Sequence, residues 1–262
     1  MGMQLPRRKN REWLVTLAYR LTRLGSFLPL KSRFGLYLDL EWIFNRLAHE
    51  ASFRYYSVAE HPFRRQTLRF LARHLTPTMT LIDIGCSTGD LAAAVAEKTA
   101  KVVGIDHELP KIEIARQRHR HANLEFVHED AFAYLERHSQ VDPPQAPFDV
   151  LTLTHVLEHL DQPEEFLRKF TGFFNSVFVE VPDFDSSYNN PYRKNLGRSL
   201  IYADSDHIWE FDRNELRDLL DRCGLRILDE EYRFGVMRYW CSTAPETTKK
   251  ITKETRLQGD KT

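Results

Sequence analysis

Cysteine is scarce in this chain of 262 residues, and its three cysteines, Cys86, Cys223 and Cys241, are widely spaced. Such a set argues against a disulfide framework or a zinc knuckle, and it indicates a reducing compartment, which we expect to be the cytoplasm. Charge excess is lacking too: the formal net charge is zero, so no overall field attracts nucleic acid. Long apolar runs are also missing, because Arg20 and Arg23 interrupt the apolar N-terminal stretch. That stretch matches neither a signal peptide nor a transmembrane span.

The N-terminal charge is nevertheless uneven, with eight Lys or Arg residues and one acid between Arg7 and Arg33. Apolar residues keep a helical period over 11–24 and 36–50, which predicts two amphipathic helices. We expect both helices to pack on the rest of the chain, so that residues 1–60 form a helical cap. A basic helix on an anionic membrane surface is the alternative. The second helix would pack through one apolar stripe: Leu36, Leu40, Ile43, Phe44 and Leu47.

Residues 80–90 carry the most informative motif of the chain. Residues 80–84 form a short apolar, β-branched run that is typical of a buried parallel strand. Gly85 and Gly89 follow, and they allow a sharp turn and a close approach of the backbone to a ligand. Strong helix formers begin at Asp90. A strand, a glycine turn and a helix in this order predict a nucleotide-binding corner at the carboxyl end of a sheet.

Acidic residues end the next two predicted strands. Residues 101–105 form a strand that ends on Asp106, and residues 123–127 form another, with Asp130 close behind it. Doubly wound nucleotide folds place an acid at the position of Asp106 to accept hydrogen bonds from ribose hydroxyls. Further strands are predicted at 148–153, 176–181, 225–232 and 234–240. Residues 183–212 lack a clear period, which favours a functional loop.

The glycine spacing is Asp83-x-Gly85-x-x-x-Gly89, with Ser87 between the glycines, and it differs from the dinucleotide pattern Gly-x-Gly-x-x-Gly. It resembles the signature of class I S-adenosylmethionine-dependent methyltransferases. The resemblance covers residues 55–240. It implies an α/β fold, a doubly wound, seven-stranded, mostly parallel Rossmann-like sheet whose last strand is antiparallel. The methyltransferase domain would then span 61–242, followed by a polar tail, 243–262, that we expect to be disordered.

The resemblance also implies which residues contact S-adenosylmethionine. Tyr55, Tyr56 and His61 are candidates for a lid over this cofactor. The expected cofactor-binding set lies at the ends of the first four strands and in the lid: Tyr56, Asp83, Gly85, Cys86, Gly89, Asp106, His107, Asp130, Ala131 and Thr154.

Four residues are candidates for catalysis: His155, Glu158, His159 and His207. A hydroxyl acceptor needs a base near neutral pKa, which favours His155 or His207. A second reading is a divalent metal held by Glu158, His159 and His207, because some relatives carry Glu-x-x-Glu-His here. A third is that Glu158 and His159 only orient the loop. We predict catalysis without a metal and keep the other two readings as alternatives.

The long loop holds the candidate substrate residues Tyr188, Tyr192, Arg193 and Trp209. Lys194 and Arg198 form a basic cluster with Arg193. This cluster either binds an anionic acceptor or is exposed charge without a binding function. We therefore predict O-methylation of a small molecule or of a glycan or sugar-nucleotide precursor. Carbon or nitrogen methylation, and a non-catalytic cofactor-binding scaffold docked at a membrane-associated assembly system, are the alternatives. No nucleic-acid partner is expected.

Overall fold

A computed structural model describes residues 13–24, 27–139 and 148–243. The predicted polar tail lies outside these residues from residue 244 onward. In the part of the chain that the model describes, no helix is both long enough and apolar enough to cross a bilayer.

One sheet of seven strands organises the described residues. Its spatial order is β3-β2-β1-β4-β5-β7-β6, and every neighbouring pair is parallel except those made by β7. The predicted doubly wound sheet and its inserted antiparallel last strand are therefore confirmed. The strands are β1 (Thr80–Ile84), β2 (Lys101–Asp106), β3 (Leu124–His128), β4 (Phe148–Thr154), β5 (Phe174–Pro182), β6 (Arg226–Arg233) and β7 (Val236–Ser242).

A tight hairpin explains how β7 enters the sheet beside β5. Phe234 and Gly235 connect β6 to β7, and both have a positive φ, 57° and 76°. Two consecutive residues in this conformation make the type of turn whose twist matches that of the flanking strands. β7 pairs on its other side with β5, so the hairpin leaves β6 at the edge of the sheet.

Helices cover both faces of the sheet, as the apolar strands require. Asp212 and Glu215 form a capping box at the start of α9, as their spacing predicts. The prediction of a loop over 183–212 is wrong in part, because a short helix, Asn190–Leu196, interrupts it. Seven residues are too few to show a helical period in the sequence. The helices are α1 (Trp13–Leu24), α2 (Leu30–Tyr55), α3 (Pro62–Leu71), α4 (Asp90–Ala96), α5 (Leu109–Arg118), α6 (Ala131–His138), α7 (Pro163–Phe170), α8 (Asn190–Leu196) and α9 (Arg213–Arg222).

Helix α2 is longer than predicted, and it presents the opposite face to the body of the protein. Gly35 and Leu38 are its buried residues, and Asp39 and Glu41 form ion pairs with Arg198 and Arg193. The stripe expected to pack against the domain is exposed instead, from 38% at Ile43 to 65% at Phe44. That prediction is wrong because ion pairs to distant residues, which a helical period does not reveal, hold α2 in place.

Candidate active site

The carboxyl ends of five parallel strands, β1 to β5, surround one cavity of about 1970 Å³. Ligands bind at this edge in open α/β sheets. A site for one small molecule typically measures roughly 300–1000 Å³, so the cavity has room for a cofactor and an acceptor together. Helix α2 forms part of the opposite wall through Trp42, Asn45, His49 and Phe53.

The glycine turn after β1 has the conformation that its motif predicts. Gly85 and Gly89 have φ values of 73° and 80°, and Ser87 between them also has a positive φ, 49°. Gly85 and Cys86 lie on the cavity wall, whereas Gly89 lies behind it. A Cβ atom at Gly89 would come within 2.3 Å of the Phe126 ring. Gly89 therefore shapes the turn, and its direct contact with the cofactor stays a prediction.

Asp106 connects the end of β2 to the glycine turn. One of its carboxylate oxygens accepts a hydrogen bond from the Ser87 backbone N–H at 2.8 Å, and the other accepts from the Glu108 N–H at 2.9 Å. A carboxylate has about four acceptor positions, so each oxygen can still accept from a ribose hydroxyl. Asp106 and the largely exposed His107 both lie on the cavity wall, which fits their predicted roles.

Asp83 is the most deeply buried acid of the predicted cofactor set. Its Oδ1 accepts a hydrogen bond from the Thr152 hydroxyl at 2.7 Å. Burial, reinforced by the negative charge of Asp106, raises the pKa of Asp83 from 3.8 to about 7. A ligand with a positive charge would offset this desolvation. S-adenosylmethionine carries such charge on its sulfonium and its amino group, so Asp83 fits this cofactor.

Asp130, Ala131 and Thr154, three further residues of the predicted cofactor set, also lie along this edge. Asp130 caps α6 by accepting a hydrogen bond from the Ala133 N–H at 2.9 Å, and Ala131 lies beside it on the wall. The Thr154 hydroxyl at the end of β4 is buried and has no protein partner. An unpaired buried hydroxyl facing the cavity is the kind of atom that a bound ligand satisfies.

Replacing Asp83 with asparagine is expected to stabilise the cofactor-free protein at about pH 8 by about 4 kcal/mol. The folded-state pKa lies above the ordinary value, so ionisation of Asp83 opposes folding increasingly as the pH rises from about 4 to about 7. The gain should be mostly lost near pH 4, where the carboxyl is protonated in the folded state and only about half ionised in the unfolded state. Chemical denaturation of both proteins at the two pH values measures it.

Asp218→Asn, at an exposed position of α9, is the control and should show no such pH-dependent difference. An Asp83→Asn protein that is less stable than wild type at both pH values would contradict the expected charge penalty. Asp83→Asn should also bind S-adenosylhomocysteine about tenfold more weakly than wild type, because the charge-assisted interaction between the Asp83 carboxylate and the ligand's amino group is lost.

His155 lies on the cavity wall directly after β4 and is held by two acids. Its φ is 55°, an uncommon conformation for a residue other than glycine. Its Nδ1 lies 3.0 Å from Glu158 Oε1, and its Nε2 lies 3.7 Å from Glu180 Oε1. Burial lowers the pKa of His155, but the hydrogen bond that His155 donates to Glu158 and the charges of both acids outweigh burial and raise it above its ordinary value.

Glu180 is a site residue that the sequence reasoning missed. It is fully buried in β5, forms an ion pair with the buried Arg238, and accepts a hydrogen bond from Thr67 at 2.7 Å. Its Oε1 has no hydrogen-bond partner and faces His155. One signal was available: a lone acid within the apolar run 176–181 must be paired or functional.

Glu158, His159 and His207 come together, with one potential ligand atom from each within 4.8 Å of the others. Glu158 Oε2 is buried without a partner, and His207 Nδ1 is bonded to Glu210 at 2.8 Å. A divalent ion fits such a donor set, and it would supply positive charge to an acceptor oxygen. A divalent metal held by Glu158, His159 and His207 stays an alternative. Of the four catalytic candidates, His155 is the one that faces the cavity between two carboxylates.

Several predicted substrate and lid residues lie away from the cavity wall. Tyr188 is exposed, Tyr192 packs edge-on against Phe34, and the Trp209 indole donates to the Leu160 carbonyl. Tyr55 and Tyr56 are exposed where the chain leaves α2, and His61 is buried against Phe53. Tyr56, Tyr188, Tyr192 and Trp209 therefore lie off the cavity wall, and the prediction that they contact the cofactor or acceptor is corrected.

The predicted basic cluster for an anionic acceptor is also corrected. Arg193 does reach the cavity wall, but it is 1% exposed and bound to Glu41, Asn190 and the Leu38 carbonyl. Arg198 is paired with Asp39, and Lys194 is exposed away from the cavity. Arg193 and Arg198 anchor α2 and Lys194 lies away from the cavity, so the cluster offers an acceptor little unpaired charge.

A family model described as a methyltransferase domain matches residues 53–230, more than half of the chain. The chain belongs to this family and is an S-adenosylmethionine-dependent methyltransferase. Solved structures show the same fold at low identity. A methyltransferase from Archaeoglobus fulgidus has a TM-score of 0.53 and 16% identity, over 75% of this chain and 98% of that one. Magnesium protoporphyrin IX methyltransferase from Synechocystis PCC 6803, with bound SAH, has a TM-score of 0.51 and 16% identity, over 69% and 81%.

Curated relatives match over a shorter region. The mitochondrial ubiquinone biosynthesis O-methyltransferase of Schizosaccharomyces pombe is 36% identical over 100 residues, which are 37% of this chain and 35% of that protein. The ubiquinone biosynthesis O-methyltransferase of Serratia proteamaculans is 31% identical over 91 residues, 34% and 35% of the two chains. The matches thus span about a third of the length of these relatives.

Proposed function

We propose that this methyltransferase acts on a hydroxyl group of a small molecule or of a glycan or sugar-nucleotide precursor, with His155 as the general base. The observation that carries the proposal is His155 on the cavity wall beside Thr154, held by Glu158 and faced by Glu180. The names of the curated relatives, which are O-methyltransferases, support an oxygen acceptor. The family assignment removes the non-catalytic scaffold from consideration.

When bound, S-adenosylmethionine supplies an electrophilic methyl group on a sulfonium sulfur. Glu158 accepts the Nδ1–H of a neutral His155, which leaves the Nε2 lone pair free to take the proton of the acceptor hydroxyl. Glu180, 3.7 Å from Nε2, would then stabilise the positive charge that His155 acquires. Asp83, Asp106 and Asp130 would hold the cofactor, and the cavity wall would align the acceptor, an effect that can lower the barrier by up to roughly 10 kcal/mol.

The acceptor can be found by incubating the protein with methyl-labelled S-adenosylmethionine and panels of phenols, sugar nucleotides, and amines. We expect label transfer to a phenol or to a sugar nucleotide, and an O-methyl signal in the product by nuclear magnetic resonance. Methyl groups found only on nitrogen or carbon would overturn the proposal. A cytoplasmic location stays a prediction, and one relative is named as mitochondrial.

A further inference from the structure

Two exposed apolar stripes lie next to each other in the chain, on α1 and on the outer face of α2. In α1, Trp13, Leu14, Leu17 and Leu21 are 43–71% exposed. In α2, the stripe is the one defined above, Leu36, Leu40, Ile43, Phe44 and Leu47. Phe27, between the helices, and Leu30, the first residue of α2, are still more exposed. Large exposed apolar side chains in this number usually mark a binding face.

The outer stripe of α2 is separate from the active site. The residues of α2 that line the cavity, among them Trp42, Asn45 and His49, recur at helical spacing on one side of the helix. At 3.6 residues per turn, Leu36, Leu40 and Leu47 fall on the opposite side. Helix α2 therefore presents one face to the cavity and a different, apolar face to the outside.

The charge around these stripes has one sign. Residues 13–38 contain Arg20, Arg23, Lys31 and Arg33 and no acid at all, and residues 1–12 add four bases and one acid to the sequence. The acids that follow are paired within the protein, Asp39 with Arg198 and Glu41 with Arg193. The surface is thus apolar and cationic together.

We propose that α1 and the outer face of α2 form a docking surface for an anionic lipid bilayer. Apolar side chains including Trp and Phe would enter the headgroup region, and the flanking bases would contact lipid phosphates. A second copy of the chain fits less well, because a two-fold contact through this face would set its bases against each other. The polar sequence of residues 244–262 offers few apolar side chains to cover the stripes.

Cosedimentation of the full-length chain with vesicles tests the docking surface. We expect binding to vesicles that contain phosphatidylglycerol, weak binding to phosphatidylcholine alone, and weakening by salt. Each basic residue near a bilayer contributes about fivefold in partitioning, so Arg20→Gln with Arg23→Gln should lower binding about 25-fold. The triple variant Leu40→Gln, Phe44→Gln, Leu47→Gln should lower it about tenfold or more.

Arg226→Gln with Leu228→Gln, both exposed on the edge strand β6, is the matched control and should bind like wild type. All variants should keep wild-type affinity for S-adenosylhomocysteine, which shows that they fold. The proposal is overturned if the chain does not bind anionic vesicles, or if the control loses as much binding as the stripe variants. It is also overturned if sedimentation shows that the wild-type chain is a dimer and that the stripe variants are monomers. None of these outcomes depends on the acceptor that is methylated.

Discussion

Replacing Asp106 with alanine is expected to weaken the binding of S-adenosylhomocysteine about a hundredfold. Two hydrogen bonds from ribose hydroxyls to a carboxylate are worth about 3 kcal/mol together, and each 1.4 kcal/mol is a factor of ten in affinity. Isothermal titration calorimetry on the purified protein measures the change directly. S-adenosylmethionine should lose affinity to the same extent, because it carries the same ribose hydroxyls as S-adenosylhomocysteine.

The contacts of Asp106 allow a second reading of the same loss. Its carboxylate also accepts hydrogen bonds from the Ser87 and Glu108 backbone N–H groups, so alanine frees the glycine turn as well. Asp106→Asn separates the two roles in part, because its amide keeps the shape and one accepting oxygen. We expect Asp106→Asn to fall between wild type and Asp106→Ala in affinity.

Glu108→Ala is the matched control, since Glu108 lies two residues further along the same cavity wall and is paired with Lys111 at the surface. Its effect on affinity should stay below about threefold, the scale of a surface ion pair. If Asp106→Ala keeps wild-type affinity and wild-type thermal stability, then the carboxylate neither binds the ribose nor supports the turn, and the cofactor site is misplaced.

The cofactor side of the cavity was accessible from the sequence because its geometry is local. A strand, a turn and a helix occupy consecutive residues, and β1 has the bounds that its apolar run predicts, Thr80–Ile84. Asp83, Asp106 and Asp130 meet because parallel strands end at the same edge of a sheet. The insertion of β7 beside β5 could be predicted only from the family resemblance, since strand order leaves no trace in the period of a single strand.

The acceptor side was largely inaccessible because its contacts join distant parts of the chain. Glu41 and Arg193, which fix α2 at the cavity, are 152 residues apart. The partner of Glu180 is Arg238, 58 residues further on. Exposed aromatic residues such as Tyr188 have the same composition signal whether they line a cavity or face solvent. Side-chain type alone therefore favoured substrate contacts that the packing of α2 and α8 excludes.

Replacing His155 with asparagine is expected to lower kcat about a thousandfold, within the range of about 10²–10⁴ for loss of a general base. Asparagine adopts the left-handed conformation more readily than most residues, so the positive φ of His155 should be retained. The base itself is lost, because an amide does not take up a proton near neutral pH. The rate is measured as release of S-adenosylhomocysteine with the acceptor identified in the panel screen.

Two further histidine variants distinguish a base from the alternatives. His49→Asn removes a cavity-lining histidine of α2 that has no carboxylate within hydrogen-bonding distance in the described structure, and kcat should stay within about threefold. His159→Asn removes a member of the candidate metal group and should also leave most of the activity. A His155→Asn enzyme with near-normal kcat, beside an inactive His159→Asn enzyme, would move catalysis from His155 to the Glu158, His159 and His207 group.

The affinity for S-adenosylhomocysteine decides whether His155 acts on the acceptor or only supports the cofactor site. If it is the base, His155→Asn should leave this affinity within about threefold of wild type while kcat falls, because the hydroxyl proton is transferred only in the reaction. A parallel fall in kcat and in the affinity for S-adenosylhomocysteine would mean that His155, which lies between Glu158 and Glu180, shapes the cofactor site instead. The structure favours the first outcome, since His155 is hydrogen-bonded to Glu158 in the turn after β4, faces Glu180 on β5, and pairs with none of Asp83, Asp106 and Asp130.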